Sequence, residues 1–351
     1  MGGKDQDTLW RPCMAAVRCG ATPGDSVASM LAATATALDA ADPLAGLTVG
    51  EVPDPSPPPG WAVVRVKAAA LNHHDLWSLR GMGLTASQLP RVLGCDAAGI
   101  DEHGNEVVVH GVIGDPDAGR GDETMDPNRS LLSELYDGTL AEFVAVPARN
   151  LVPKPAALSF EQAACLPTAW LTAFRMLFTN SGTRPGDTML VQGAGGGVST
   201  ALIVLGQTSG RRVWVTSRSE ERGALALKLG ADAAFESGGR LPARVDAVFD
   251  NVGAATWSHS LRSVRPGGTI VTCGATSGGA PSAELRRVFF QQLRVIGSTM
   301  GSRQELVELL NFLVVTGVRP VMDRVLPLAD ARAGLAALSA GEVFGKVVLT
   351  A

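Results

Sequence analysis

The chain has 351 residues, a formal net charge of −4 and 46% hydrophobic residues. That length is enough for two domains with a large core, and the slight negative charge argues against nucleic acid or another polyanion as a partner. No apolar run reaches the roughly 18–20 residues of a membrane span, and Cys13, Cys19, Cys95, Cys165 and Cys273 show no paired spacing, which points to reduced thiols in the cytoplasm.

Residues 1–29 carry charges and breakers without the apolar stretch of a signal peptide, so they are expected to be an appendage outside the fold. The run from Met30 reads as a first strand. Residues 47–60, with five prolines, form a stiff connection that is neither helix nor central strand. Trp61 to Ala70 then alternates as a strand, with Val64 and Val66 on one face and Arg65 and Lys67 on the other. Leu71-Asn-His-His-Asp-Leu-Trp77 leaves that strand with a cluster of polar groups. More strands are expected at 92–93, 106–110 and 140–146, each bounded by Gly, Pro or Asp. Between them, residues 114–138 are polar and breaker-rich, a loop that is either functional or mobile.

From Leu158 the pattern changes. Residues 160–178 read as helical with an interruption at Pro167, and short apolar strands at 188–191, 212–216, 247–249, 269–273 and 294–296 alternate with helices at 201–207, 220–229, 257–264 and 283–292. Such alternation indicates a parallel sheet covered on both faces. A helix over 304–316 and a strand over 345–349 close the chain. The last residues again resemble the β-rich part, so the chain is expected to return to its first domain with the α/β domain inserted, leaving a cleft for chemistry between them.

The α/β part is organised around Val191-Gln-Gly-Ala-Gly-Gly-Gly-Val-Ser199, where a strand stops at a glycine cluster and a helix follows. Strand, glycine turn and helix put free N–H groups and a helix dipole before a phosphate. Gly193, Ala194, Gly195, Gly196, Gly197 and Val198 are the expected cradle. At the end of the second strand, where an Asp or Glu would hold a free ribose 2′-hydroxyl, stand Ser217, Arg218 and, further on, Arg222. A hydroxyl and guanidinium suit a 2′-phosphate, so the expected cofactor is NADP(H). Asn251 and Val252, then Gly274, Ala275 and Thr276, then Thr299 and Met300 lie at later strand ends and are expected to line the same crevice.

Several segments together resemble the medium-chain dehydrogenase/reductase superfamily, in its quinone oxidoreductase-like branch. They are Gly50-Glu-Val-Pro-Asp-Pro, Lys67-Ala-Ala-Ala-Leu-Asn72, Leu93-Gly-Cys-Asp-Ala-Ala-Gly99, the glycine turn, Arg265-Pro-Gly-Gly-Thr269 and Phe344-Gly-Lys-Val-Val-Leu349. The resemblance implies an α/β fold class: a GroES-like β-rich domain over 30–165 and 304–351, and an inserted Rossmann domain over 166–303. It adds Thr168 and Lys346 to the expected cofactor contacts. Zinc-dependent members need Cys and His-Glu ligands where this chain has Asn72, Cys95-Asp96 and Thr168, so no metal is expected. The implied activity is NADPH-dependent hydride transfer to a quinone or α,β-unsaturated carbonyl, with Asn72 donating to the substrate oxygen. His73 or His74 is the candidate proton source and Asp75 the orienter or cap. Trp77, Cys95, Tyr136 and Trp170 are the expected pocket wall. The alternatives are an alcohol or carbonyl dehydrogenase of the same superfamily, and an NADPH-binding protein without turnover. A homodimer or homotetramer is expected, paired through the last sheet strand.

Overall fold

The computed structural model describes residues 28–351, so almost all of the expected 1–29 appendage lies outside the described residues. The first strand, Ser29–Ala35, pairs antiparallel along its whole length with Leu47–Pro53. The proline-rich segment is therefore an edge strand up to Pro53, the one sheet position where a missing N–H costs no ladder bond.

The larger β sheet is built on Trp61–Ala70, whose Ala62, Val64, Val66 and Ala68 point into the core. Its order runs Leu151–Pro153, Glu106–Val109, Ala97–Asp101, Trp61–Ala70, Lys346–Thr350, Met322–Pro327, with Phe143–Pro147 also on the central strand. The final strand of the chain thus lies against the third. Ala97–Asp101 has no strand signature in sequence, being small residues and a glycine. Its close seating explains this, since a Cβ on Gly99 would lie 2.2 Å from the Arg65 carbonyl oxygen. Met322–Pro327 and Ala233–Glu236 were likewise not evident as strands.

The second sheet is wholly parallel, in the order Ala233–Glu236, Arg212–Ser217, Thr188–Val191, Val245–Asp250, Val264–Thr272, Arg294–Gly297. Numbered along the chain this is 3-2-1-4-5-6, the doubly wound dinucleotide order, and its crevice opens where the order reverses, beside Thr188–Val191. Helices Gly197–Thr208 and Glu220–Leu229 follow the first two strands. The helical stretch 160–180 is continuous but widens into π turns at Leu166–Trp170 and Arg175–Asn180, the first containing Pro167.

Two corrections bear on the site. Residues after Leu71 form a helix, His73–Leu79, and not a strand exit, so consecutive side chains there fan round an axis. The 114–138 segment is laced by hydrogen bonds: Asp126 Oδ2 accepts from Asp115 N at 2.7 Å, and Asp122 pairs with Arg175. Glu123 lies 3.0 Å from His110 Nε2 and accepts from the Arg303 amide. Burial pushes the Glu123 carboxyl up, but those hydrogen bonds outweigh it and hold its pKa at about 2. The segment is thereby fastened to the helix Arg303–Thr316. Among the described residues no helix is long and apolar enough to cross a membrane.

Candidate functional site

At the crevice, Gly193 takes φ 84°, a left-handed turn that favours glycine, and its N–H reaches Thr216 Oγ1 at 3.1 Å. A Cβ on Gly195 would fall 2.8 Å from an Arg222 nitrogen, and one on Gly197 would fall 3.0 Å from Lys346 Cδ and 3.1 Å from Ala169 Cβ. Gly196 has nothing within 4 Å of its Cβ position. The turn is crowded by protein from beneath and open at Gly196, where the twelve-residue helix starts without a side-chain cap. Those uncapped N–H groups fit a pyrophosphate. Ala194 is buried at the turn and Val198 is half-buried on the first helical turn.

Ser217 closes a local turn, donating to the Ser219 carbonyl at 2.8 Å, and Arg218 is exposed beside it with no ion-pair partner among the described residues. Arg222 is tied instead to the Gly341 carbonyl and lies over Gly195, so it braces the turn and does not reach the ribose end with Arg218. The loops bearing Asn251 and Val252 and bearing Gly274, Ala275 and Thr276 are stitched together, Ser277 Oγ donating to Val252 O at 2.6 Å. Thr299 is exposed at the next strand end and Met300 is buried.

Under this crevice lies a polar web that carries no local sequence signal. Gln192 Oε1 accepts from Thr216 at 2.8 Å, and its Nε2 meets His259 Nδ1 at 2.9 Å and Ser260 Oγ at 3.0 Å. Asp250, fully buried, accepts from Ser260, Thr256 and the amides of Val252 and Gly253. Burial holds the His259 pKa below its ordinary value. The web fixes the ends of the two strands that flank the switch point, which is where the crevice loops spring from.

The second cluster surrounds Asn72 and is closed upon itself. Lys346 Nζ, 3% exposed, donates to Leu71 O at 2.8 Å, Asn72 Oδ1 at 2.7 Å and Asp96 Oδ2 at 2.9 Å. Asn72 Nδ2 donates to Asp96 Oδ2 at 2.9 Å and to Ala70 O at 3.2 Å. Both amide hydrogens of Asn72 are therefore spent inside the protein, which removes it as donor to a substrate oxygen. Lys346, expected to touch the cofactor, has its ammonium in this cluster and only its stem under the glycine turn. Asp75 does not reach the cleft either. Its Oδ2 accepts from the Asn72 amide at 2.8 Å, capping the helix, and burial raises its pKa to about 6 despite that hydrogen bond.

Several expected wall residues are elsewhere. Trp170 is wholly buried core, and Cys95 is sealed beneath Asn72, 3.4 Å from half-buried Thr168 Oγ1, with burial driving its thiol pKa well up. Tyr136 packs against Trp61 with the rings tilted, centroids 4.9 Å apart, at the end of the central strand remote from Asn72. Trp77 stays half-buried, 6.4 Å from the His73 ring. His73 is exposed in a recess where desolvation, then the charges of Lys346 and Arg80, keep its pKa below the ordinary value. His74 turns away to Glu134, 3.1 Å from Nε2 to Oε1.

A cavity of about 310 Å³ lies between the two halves, lined by Val112, Thr124, Arg129, Ser130 and Glu134 on one side and Thr299 and Met300 on the other. The 114–138 segment thus forms most of one wall, and none of the expected catalytic residues lines it. Glu134 is the titratable group that sequence reasoning missed, since one Glu in a polar loop is unremarkable.

Known proteins match this arrangement. The alcohol dehydrogenase GroES-like domain model matches residues 58–156, and the zinc-binding dehydrogenase model matches residues 197–314. An acryloyl-coenzyme A reductase from Metallosphaera sedula is 30% identical over 323 residues, covering 87% of this chain and 96% of that one. A crystal structure of an NAD-dependent alcohol dehydrogenase superposes with TM-score 0.84 at 36% identity, over 92% of this chain and all of the other. A 2-octenoyl-CoA carboxylase reductase, solved with NADP and 2-octenoyl-CoA, gives TM-score 0.83 at 26% identity over 92% of this chain and 87% of its own. With a β-rich GroES-like part, a parallel Rossmann sheet and these relatives, the chain belongs to the medium-chain dehydrogenase/reductase superfamily, and it is an oxidoreductase.

Proposed function

We propose that this protein is an NADPH-dependent, zinc-independent reductase of conjugated double bonds, acting on an α,β-unsaturated carbonyl compound or a quinone. The observation that carries this reading is the closed cluster of Lys346, Asp96 and Asn72. An ammonium 2.9 Å from Asp96 Oδ2 and 2.7 Å from Asn72 Oδ1 already occupies the place between these oxygens that a metal would take, and the Cys95 thiol is held protonated by burial. These residues do not fit zinc, which wants deprotonated or imidazole ligands converging on one point. Reduction of a conjugated double bond needs no Lewis acid, because the enolate spreads its own charge. The reduced nicotinamide supplies the hydride when bound. The chain's part is to cradle the pyrophosphate at Gly195–Gly197, hold the ribose end and enclose the substrate in the cavity. The enoyl-thioester relatives support a double-bond substrate, and residues 166–303 are read as the cofactor unit and 30–165 with 304–351 as the substrate unit. Among the described residues Cys95, Cys165 and Cys273 are unpaired, which suits a cytoplasmic location.

The alcohol dehydrogenase reading is favoured by the 36% identical NAD-dependent neighbour. NADPH oxidation against a panel of enones, enoyl thioesters, quinones and aldehydes, with metal content measured on the same sample, decides between them. Enone turnover by metal-free protein is the expected result; turnover of aldehydes alone, scaling with bound zinc, refutes the proposal.

Cofactor choice has its own test. Ser217→Asp with Arg218→Ile removes a charge-assisted hydrogen bond worth about 1.5–3 kcal/mol and adds a carboxylate, so kcat/KM for NADPH should fall by roughly tenfold or more relative to NADH. An unchanged ratio of the two would refute the 2′-phosphate assignment.

The same reading includes a second copy of the chain. Arg294–Gly297 is the edge strand of the parallel sheet, and beside it Leu285, Phe289, Phe290 and Val295 are exposed, Phe290 by 78%. A surface hollow of about 520 Å³ at Glu284–Gln291 joins this patch and holds none of the site residues. Edge pairing would cover both strand and patch. Phe290→Glu should convert the assembly to monomers in sedimentation velocity, whereas a wild-type monomer at micromolar concentration would exclude it.

A further inference from the structure

Double-bond reduction needs a proton as well as a hydride, and neither of the histidines expected to give it lines the cavity. Asn72 and Lys346 are saturated, Asp75 is a helix cap and His73 lies outside the cavity lining. The ionisable groups that do line the cavity are Arg129 and Glu134. A guanidinium does not release protons at physiological pH.

Glu134 is held in place from several directions. Its Oε2 accepts from Leu131 N at 3.0 Å and from Ser130 Oγ at 3.4 Å, and its Oε1 meets His74 Nε2 at 3.1 Å. Gly83 makes the room for it, because a Cβ there would lie 2.8 Å from Glu134 Oε1. The preceding residue, Ser133, is fully buried at φ 72°, a left-handed conformation uncommon outside glycine, in the tight turn that presents Glu134 to the cavity. Strain in a residue that is not glycine, beside a carboxylate on a cavity wall, is where a functional demand on backbone shape is expected.

We propose that Glu134 is the acid–base residue of this site and that His74, behind it, is the positioning residue and proton reservoir. The inference rests on the double-bond reductase reading. Hydride addition to the β-carbon brings two electrons and converts the double bond to an enolate. The Glu134 O–H bond breaks as its proton forms a C–H bond at the α-carbon. The carboxylate regains a proton from His74 Nε2, and His74 regains one from water. Burial pushes the Glu134 carboxyl up, but the hydrogen bonds from His74 and Leu131 N outweigh it and leave its pKa below the usual value, so the carboxylate is reprotonated by His74 in each turnover. The charged groups facing the pair are Arg129 on the cavity wall and Asp75 on the helix of His74; Gly83, Gln88, Ser130 and Leu131 bring no charge.

The test uses the full chain, with Glu134→Gln and His74→Gln. Glu134→Gln is isosteric and retains an acceptor for Leu131 N. Against an enone that the wild type reduces, it should lower kcat by roughly a hundredfold or more with KM for NADPH within about threefold, and flatten the pH profile. His74→Gln should shift that profile and lower kcat less. A kcat and pH profile unchanged in both variants overturns the relay while leaving the reductase reading intact. A wild type that reduces no conjugated substrate overturns that reading and the relay together.

Discussion

Lys346→Met should destabilise the protein by about 3–5 kcal/mol, the typical result of stripping one partner from a buried ion pair. The ammonium is 3% exposed and Asp96 0% exposed, so water cannot replace what is lost. Asp96 Oδ1 already has no hydrogen-bond partner, which leaves the carboxylate dependent on Lys346 and Asn72. Asn72 Oδ1 and Leu71 O would lose their donor as well. Adding Asp96→Asn removes the stranded charge, so the double variant should recover a large part of the loss, and the non-additivity measures the pair. The same lysine joins the fold to the crevice: its stem lies under Gly197, and the adjacent Gly345 N–H donates to Gly195 O at 2.8 Å. Single and double variants should therefore both bind NADPH more weakly in fluorescence titration, while thermal unfolding separates them. Equal melting temperatures for wild type and Lys346→Met would show that the cluster does not hold the fold.

Asp75 yields a pH dependence of the opposite sign to ordinary acidic residues. Its folded pKa, about 6, lies above the unfolded value near 3.8. Its contribution to stability is complete below that unfolded value and is lost as pH rises through 6, because the native state must then desolvate a charge. Roughly two units amount to about 3 kcal/mol, of which about half is lost above pH 5. Asp75→Asn keeps an acceptor for the Asn72 amide and cannot ionise. Its stability relative to wild type should therefore rise between about pH 5 and 8, measured by urea unfolding. His259 and His73 act the other way, their depressed pKa values removing stability as pH falls below about 6.5. Both remain in the variant, so the difference between the two proteins isolates Asp75. A constant difference across the range would show that Asp75 is not buried as described.

The double-wound half was legible because its strands are short apolar runs and its turn is marked by glycines, signals that depend on neighbours in sequence. Glu220–Leu229 matches its expected bounds, and Gly197–Thr208 begins earlier than its apolar pattern because the helix starts inside the glycine turn. The β-rich half was harder. Ala97–Asp101 there, and Ala233–Glu236 in the parallel sheet, lack β-branched runs and are strands because sheet neighbours hold them. His73–Leu79 was hidden because seven residues are too few for a periodic pattern.

The sequence by itself determined the fold class, the glycine cradle and the absence of an acidic residue at the second strand end, since each is written in contiguous residues. Which polar groups are free to act was decided only by tertiary structure. Asn72 and Lys346 look reactive in isolation but satisfy each other through Asp96, 274 residues separating the first two in the chain. Glu134 looks inert in its loop and reaches the cavity only because Gly83, Ser133 and His74 converge on it. Hydrogen-bond satisfaction is a sum over neighbours in space, and sequence order does not contain that sum.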